Sequence, residues 1–418
     1  MQSSQTAREN LAMKRAFFIV SQIGQLKHAQ ALLLHLGLAR ADLGIIWTQS
    51  NSRMPSLIEE QAPRSCFFPI RFIQIDTRSN TFDSSILQEN EIKYRRLLDD
   101  VQPTDLYVCS NERHYAIIIK EAIRRGIRVH LFEEGAGSFK GLHKDYIPFP
   151  RPSFFKQIIS IYDRFWKKNN SLHTKTAALG NPLCCFIRFL SLTRQTVSAI
   201  YSLPFFQEGK ISRKFPEFAH GWRTFDSVFS SDTDLMRKIV KANGFFEVRA
   251  QYDDKALVQS TKCLVEKHGI DNNVAIYAAQ KFAIDDEVLS SAIIDVLDNL
   301  IEITGWRVLI KPHPKEDPSA TLRYHLAAAK RNNIDVIEGP CPPAEYLTIH
   351  SQCRAVISIS SSTLIYAPQQ KIYLRAISIG DEVLKRLPHV SGSGVIMIRQ
   401  HMKIMRSIPH IETTIGQK

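Results

Sequence analysis

No stretch of this 418-residue chain approaches the roughly 20 apolar residues that a membrane span requires. The first segment, Met1 to Lys14, is polar and lacks an apolar core, so no secretory leader is expected. Cysteine is scarce: 7 residues, an odd number, without a Cys-x-x-Cys pair. That argues against a disulfide framework or a zinc finger and points to a reducing compartment, the cytoplasm. Neither Gly-x-Gly-x-x-Gly nor a Walker sequence occurs, so a dinucleotide or a P-loop nucleotide is not indicated. There is no internal repeat and no low-complexity run. No His, Cys and Asp residues fall at metal-ligand spacing, so the expectation is catalysis without a metal and without a resident cofactor.

What is present is a soluble globular composition, 44% hydrophobic, on a chain long enough for two cores. Strand and helix patterns alternate. Strands are expected at Arg15–Val20, Leu43–Thr48, Cys66–Ile75, Asp105–Cys109 and Val129–Phe132, with helices at Leu26–Leu38, Pro55–Gln61, Ser84–Val101 and Arg113–Arg125 between them. After Ala256 the alternation resumes, with strands Val274–Ala278, Trp306–Ile310, Ile334–Ile337 and Ala355–Ile359. The helices there are Asp286–Ile303, Pro318–Arg331, Ala344–Ser351 and Thr363–Gln369. Such a pattern predicts an α/β protein of two Rossmann-like parallel-sheet domains facing a cleft. The divisions expected are 1–255, 256–395 and a C-terminal segment 396–418 that packs back on the first domain.

Three motifs sit where such strands end. Val308 to Glu316 reads Val-Leu-Ile-Lys-Pro-His-Pro-Lys-Glu: an apolar run entering a His locked between two prolines, which fix the backbone that aims it. The same pattern also serves as an ordinary strand-to-helix turn. Glu133-Glu134-Gly135-Ala136-Gly137 places adjacent carboxylates after an apolar strand, where at least one pKa should rise toward that of a general base. A solvated turn with two surface acids is the plainer use of Glu-Glu-Gly. Ser360-Ser361-Ser362-Thr363 opens a helix, a setting suited equally to phosphate binding and to plain N-capping.

The segment from Arg151 to Thr224 differs in kind. It holds twelve Lys and Arg against three Asp and Glu, most of the chain's +13. Phe154, Phe155, Ile158, Ile159, Tyr162, Phe165 and Trp166 recur there at helical spacing, flanked by Arg151, Lys156, Arg164, Lys167 and Lys168. An apolar stripe with basic flanks fits an interfacial membrane helix or a polyanion-binding face; a core-facing helix with a basic side fits the stripe as well.

At this point the residues carry a resemblance. Ile19 to Lys27 (Ile-Val-Ser-Gln-Ile-Gly-Gln-Leu-Lys), Met54 to Ile58, Asn80-Thr81-Phe82, His114 to Ile117, Glu133 to Gly137, Ile276 to Lys281, Ile310 to Glu316 and Ser361 to Leu364 resemble the bacterial capsule polysialyltransferases. One departure is Thr363, where that pattern has a third serine. The resemblance implies a GT-B glycosyltransferase that transfers sialic acid, with inversion, from CMP-sialic acid to an anionic oligo- or polysialic acid chain. Glu133 is then the expected base, with Glu134 the fallback, and His313 serves the leaving phosphate. Gly135, Lys27, His114 and Lys140 join Glu134 on the acceptor side. Lys311, Pro314, Ser361, Ser362, Thr363, Gln280 and Glu345 belong to the CMP side. It also implies attachment to the inner face of the cytoplasmic membrane beside capsule assembly proteins, and no nucleic-acid partner. The alternatives that stay open are another cytidine-nucleotide-dependent transferase (mono-sialyl, Kdo or glycerophosphate) and a basic polyanion-binding protein without turnover.

Overall fold

The computed structural model describes residues 15–48, 54–75, 84–110, 114–142, 224–313, 318–339 and 341–414. The first unit starts β1 (Ala16–Val20), α1 (Ile23–His35), β2 (Ala41–Trp47), α2 (Met54–Gln61), β3 (Phe67–Gln74) and α3 (Ser84–Val101). It continues with β4 (Asp105–Val108), α4 (His114–Arg124), β5 (Arg128–Phe132), a 3-10 turn (Ala136–Leu142), β6 (Thr224–Ser230), α5 (Thr233–Arg237) and β7 (Lys241–Glu247). All seven strands are parallel, in the order β3-β2-β1-β4-β5-β6-β7. β1 is buried along its whole length, as expected of a central strand covered on both faces. Rings stack across the sheet, Phe18 on Tyr107 at 4.5 Å and Tyr107 on His130 at 4.7 Å, locking β1, β4 and β5 in register.

The second unit comprises α6 (Lys255–His268), β8 (Val274–Ala278), α7 (Asp286–Thr304), β9 (Arg307–Lys311), α8 (Pro318–Ala328), β10 (Ile334–Val336) and α9 (Ala344–His350). Then follow β11 (Ala355–Ser358), α10 (Thr363–Gln370), β12 (Arg375–Ser378), α11 (Gly380–Arg386), α12 (Ser393–Met405) and β13 (Ile411–Glu412). Its six parallel strands run β10-β9-β8-β11-β12-β13. Asp254 and Asp285 cap α6 and α7 by accepting two backbone N–H groups each, and Gly269 and Gly305 end these helices in the left-handed region.

The expected two-sheet architecture is present, with amendments. β6, β7, β12 and β13 were not anticipated. β6 begins at Thr224, where the basic segment was drawn to close, and β7 is an edge strand with Phe246 left 45% exposed. The boundary drawn at 255 touches the first residue of α6, and the one at 395 falls inside α12. α12 packs against the 3-10 turn of the first unit, and the chain then returns to the second sheet as β13. Residues 151–223 of the basic segment lie outside the described residues.

In each sheet the chain steps first one way from a central strand and then the other. The reversal falls between β1 and β4 in the first sheet and between β8 and β11 in the second. Loops diverge at such points and leave a crevice beyond the carboxyl ends of the strands, where ligands of open α/β sheets bind.

Candidate active site

At the second crevice, Gln280 follows β8, and its side-chain oxygen accepts from Ser360 N at 2.6 Å, Ser360 Oγ at 3.2 Å and Ser358 Oγ at 3.3 Å. One amide thus clamps the turn from β11 into α10 and sets where the hydroxyl row lies. Ser362 Oγ and Thr363 Oγ1 both donate to Glu345 Oε1, at 3.1 and 2.9 Å, while Ser361 Oγ lies 3.0 Å from Thr363 Oγ1. The hydroxyl protons of Ser362 and Thr363 are therefore engaged by a carboxylate. Thr363 is buried with its backbone N–H on Ser361 Oγ, Ser361 and Ser362 are half-buried at the start of α10, and Glu345 beside them is an acceptor suited to sugar hydroxyls. Lys311 ends β9 at 8% exposure, and among the described residues its ammonium donates one long hydrogen bond, to Pro312 O at 3.4 Å. A cation at that strand end can pair with an anion. His313 follows two residues on, half-buried. Pro314 lies outside the described residues.

At the first crevice the turns after β1 and β4 carry Ser21 and Cys109, with Gln25 in the first turn of α1 and Tyr115 rising from α4. Glu134 reaches over them, half-buried, its Oε2 receiving Gln25 Nε2 at 3.4 Å. Ser138 Oγ accepts from the Glu134 amide at 2.8 Å. The glycines of the motif have separate tasks. A Cβ on Gly137 would collide with the Glu134 carboxylate, so that glycine gives the side chain its place. Gly135 has φ +117°, and a Cβ added there would lie 3.9 Å from Tyr366 Oη and 4.0 Å from Ser362 Cβ, making it one of the points where the first unit approaches the second.

Glu133 faces the other way. It is 1% exposed and accepts four hydrogen bonds: Ser231 N at 2.6 Å, Tyr366 Oη at 2.7 Å, Ser230 Oγ at 3.0 Å and Ser231 Oγ at 3.2 Å. Tyr366 belongs to α10, so this bond joins the two units. Burial, and then the Glu133 charge, hold its phenol pKa well above the usual value, so it remains a donor. The His28 ring meets Tyr366 edge-on at 4.9 Å; burial lowers its pKa against the pull of Glu133 and Glu345, keeping it neutral. Gln369 Nε2 to Ser231 Oγ and Arg249 to Gln369 O extend the same seam.

The structure thus brings Glu133 and Gly135 against Tyr366 and Ser362 of α10, sets Glu134 beside Gln25, and groups Gln280 and Glu345 with the hydroxyl row. Lys27 lies on α1, half-buried. His114 opens α4 and Lys140 lies in the 3-10 turn, but their side chains are outside the described residues. Gln25, His28, Ser230, Ser231 and Tyr366 carried no assigned role in the sequence. The signal available was polar or ionisable residues on helix faces otherwise filled by apolar ones: Gln25 and His28 are buried on α1 among Leu26, Ala29 and Leu32.

The chain is similar to solved structures of low sequence identity. The UDP-GlcNAc 2-epimerase from Methanocaldococcus jannaschii, in complex with UDP-GlcNAc and UDP, is 13% identical at a TM-score of 0.48, over 97% of this chain and 94% of that one. The UDP-GlcNAc 2-epimerase from Neisseria meningitidis bound to UDP-GlcNAc is 12% identical at 0.47, over 96% of each. MurG from Acinetobacter baumannii is 11% identical at 0.45, over 96% and 86%. No curated protein matches the chain. The alpha-2,8-polysialyltransferase family matches residues 16–371, which takes in both crevices, the Glu133–Glu134 pair and the hydroxyl row, and the chain belongs to that family.

Proposed function

We propose that this polysialyltransferase elongates an oligo- or polysialic acid chain by transferring sialic acid, with inversion, from CMP-sialic acid. The observation that carries the reading is the pairing of opposite chemistries across one seam. Carboxylates stand at the end of the first sheet, while a buried ammonium, an imidazole and hydroxyls stand at the end of the second.

In the proposed reaction the acceptor hydroxyl oxygen attacks the anomeric carbon while its bond to the phosphate oxygen breaks. CMP leaves with the electron pair, through an oxocarbenium-like transition state. The proton of the hydroxyl passes to a carboxylate. Glu134 is the carboxylate suited to this: a base needs a lone pair open to the cleft, and four donors occupy Glu133. Glu133 instead ties the acceptor side to α10. His313 donates to the departing phosphate oxygen and Lys311 neutralises the charge that gathers there. Glu345 takes ribose hydroxyls, Gln280 shapes the turn beside them, and Ser361 with the N-terminus of α10 takes phosphate oxygens. Charge relief by Lys311 and His313 gives the transfer a route that needs no divalent metal.

No helix among the described residues is long and apolar enough to cross a membrane. Attachment to the inner membrane face is proposed through the basic aromatic segment 151–224, whose Lys and Arg contribute about 1 kcal/mol each on anionic lipid. Incubation with CMP-sialic acid and an oligosialic acid primer, with products resolved by length, tests the function. A ladder of longer products is expected. Release of CMP without chain growth, or growth only with another CMP-activated sugar, overturns it.

A further inference from the structure

We infer that Gln25 is a positioning residue that aims Glu134 at the acceptor, an inference that rests on Glu134 being the base. Gln25 sits in the first turn of α1, 2% exposed, at the reversal point between β1 and β4. Its side-chain oxygen accepts from Ser21 N at 2.6 Å, from Ser21 Oγ at 3.1 Å and from Gln22 N at 3.1 Å. Two of these donors are backbone amides, which cannot act as acceptors, so they settle which end of the amide is oxygen. The nitrogen is thereby turned outward, and it meets Glu134 Oε2 at 3.4 Å.

Behind this contact lies a directed chain. Cys109 Sγ lies 3.2 Å from Tyr115 Oη as donor, and Tyr115 Oη donates to Ser21 Oγ at 3.1 Å, which donates in turn to Gln25. Each group spends its proton on the next, so the amide cannot flip without breaking the series. Cys109, just after β4, and Tyr115 on α4 are pushed up, by burial first and by the Glu134 charge among the lesser causes, and stay neutral. Glu133 is the adjoining carboxylate, and across the seam Tyr366 and Glu345 face it from α10 and α9. Gln25 offers Glu134 a neutral donor at the crevice.

Gln25→Glu separates positioning from structure. The new carboxylate still accepts from Ser21 N and Gln22 N, and Glu is favoured at that turn of a helix, so the fold persists. What changes is the group facing Glu134, from a donor to a like charge. In the full chain, with CMP-sialic acid and an oligosialic primer, the acid limb of kcat/KM should move up by about one unit or more, because a like charge raises a carboxylate pKa. kcat should fall roughly 10- to 100-fold as the base is misplaced, with the KM for CMP-sialic acid unchanged. A folded Gln25→Glu protein with wild-type kcat and an unmoved acid limb overturns the inference. So does wild-type kcat in folded Gln25→Asn, which withdraws the amide by one methylene. Glu134→Gln measured alongside separates the two ideas. Retained activity there sinks the assignment of the base, whereas an inactive Glu134→Gln beside unaffected Gln25 variants sinks the role of Gln25 alone.

Discussion

At the end of the first sheet the groups toward the seam are two carboxylates, an amide, a neutral phenol and a thiol. At the end of the second they are a buried ammonium, an imidazole and a row of hydroxyls braced by Glu345. Both crevices arise from the same topological step, yet in the proposed reaction one accepts a proton and the other accepts negative charge. Within the first, the contrast sharpens between neighbours. Glu133 is enclosed by four donors and faces α10, whereas Glu134 is half-buried and lies over the reversal point. Adjacent positions leaving a strand point to opposite sides, so one of two like residues is a fastener and the other is the proposed base.

The sharpest way to break this comparison is to neutralise one carboxylate at a time. Glu134→Gln should lower kcat by about 10²–10⁴-fold, the usual worth of general acid–base help, with little change in the KM for CMP-sialic acid. Near wild-type turnover by the folded variant would return the base to Glu133. On the opposite crevice, His313→Ala should cost a comparable factor. With Lys311 intact, EDTA should leave transfer by the wild-type chain within about twofold; a strict need for Mg²⁺ or Mn²⁺ would show that the charge on the leaving group is relieved otherwise.

A smaller and different effect is expected at the fastener. Tyr366→Phe keeps the ring against His28 but removes one donor from a buried carboxylate. It should lower unfolding stability by about 1.5–3 kcal/mol in denaturant titrations. Unchanged stability would mean that solvent reaches Glu133 freely.

The smallest effect concerns residues outside the described part of the chain. Charge reversal at Lys167, Lys168, Arg213 and Lys214 should shorten products more than it slows the first transfer, with the preference for long primers shrinking as salt rises. If product lengths in a soluble assay stay the same while liposome binding falls, the basic segment serves lipid and not the polymer.

The legible parts were those that local chemistry marks. β1, β2, β4, β5, β8 and β11 are short apolar runs closed by polar turns, and Glu133, Glu134, Lys311, His313 and the hydroxyls stand where such runs end. β6 (Thr-Phe-Asp-Ser-Val-Phe-Ser) and β7 (Lys-Ala-Asn-Gly-Phe-Phe-Glu) escaped notice because polar residues interrupt them, and β7 is an edge with one face to solvent. Which of the two glutamates faces the cleft was not legible, since the answer depends on Tyr366, 233 positions away. Gln25 and His28 read as ordinary members of a helix because their partners come from other elements.

The Glu133–Tyr366 bond has a consequence for making hybrids of these enzymes. The obvious cut, between β7 and α6, separates the proposed acceptor side from the proposed donor side, and exchanging halves there is the natural way to recombine specificities. The same cut parts a buried carboxylate from its phenol. A second half that brings Phe or Leu at position 366 would leave the ion enclosed with one donor fewer, and polar groups buried without partners are costly. Tyr366, Gln369 and Ser231 should therefore travel with Glu133 as one inherited unit, whatever else is exchanged between the halves.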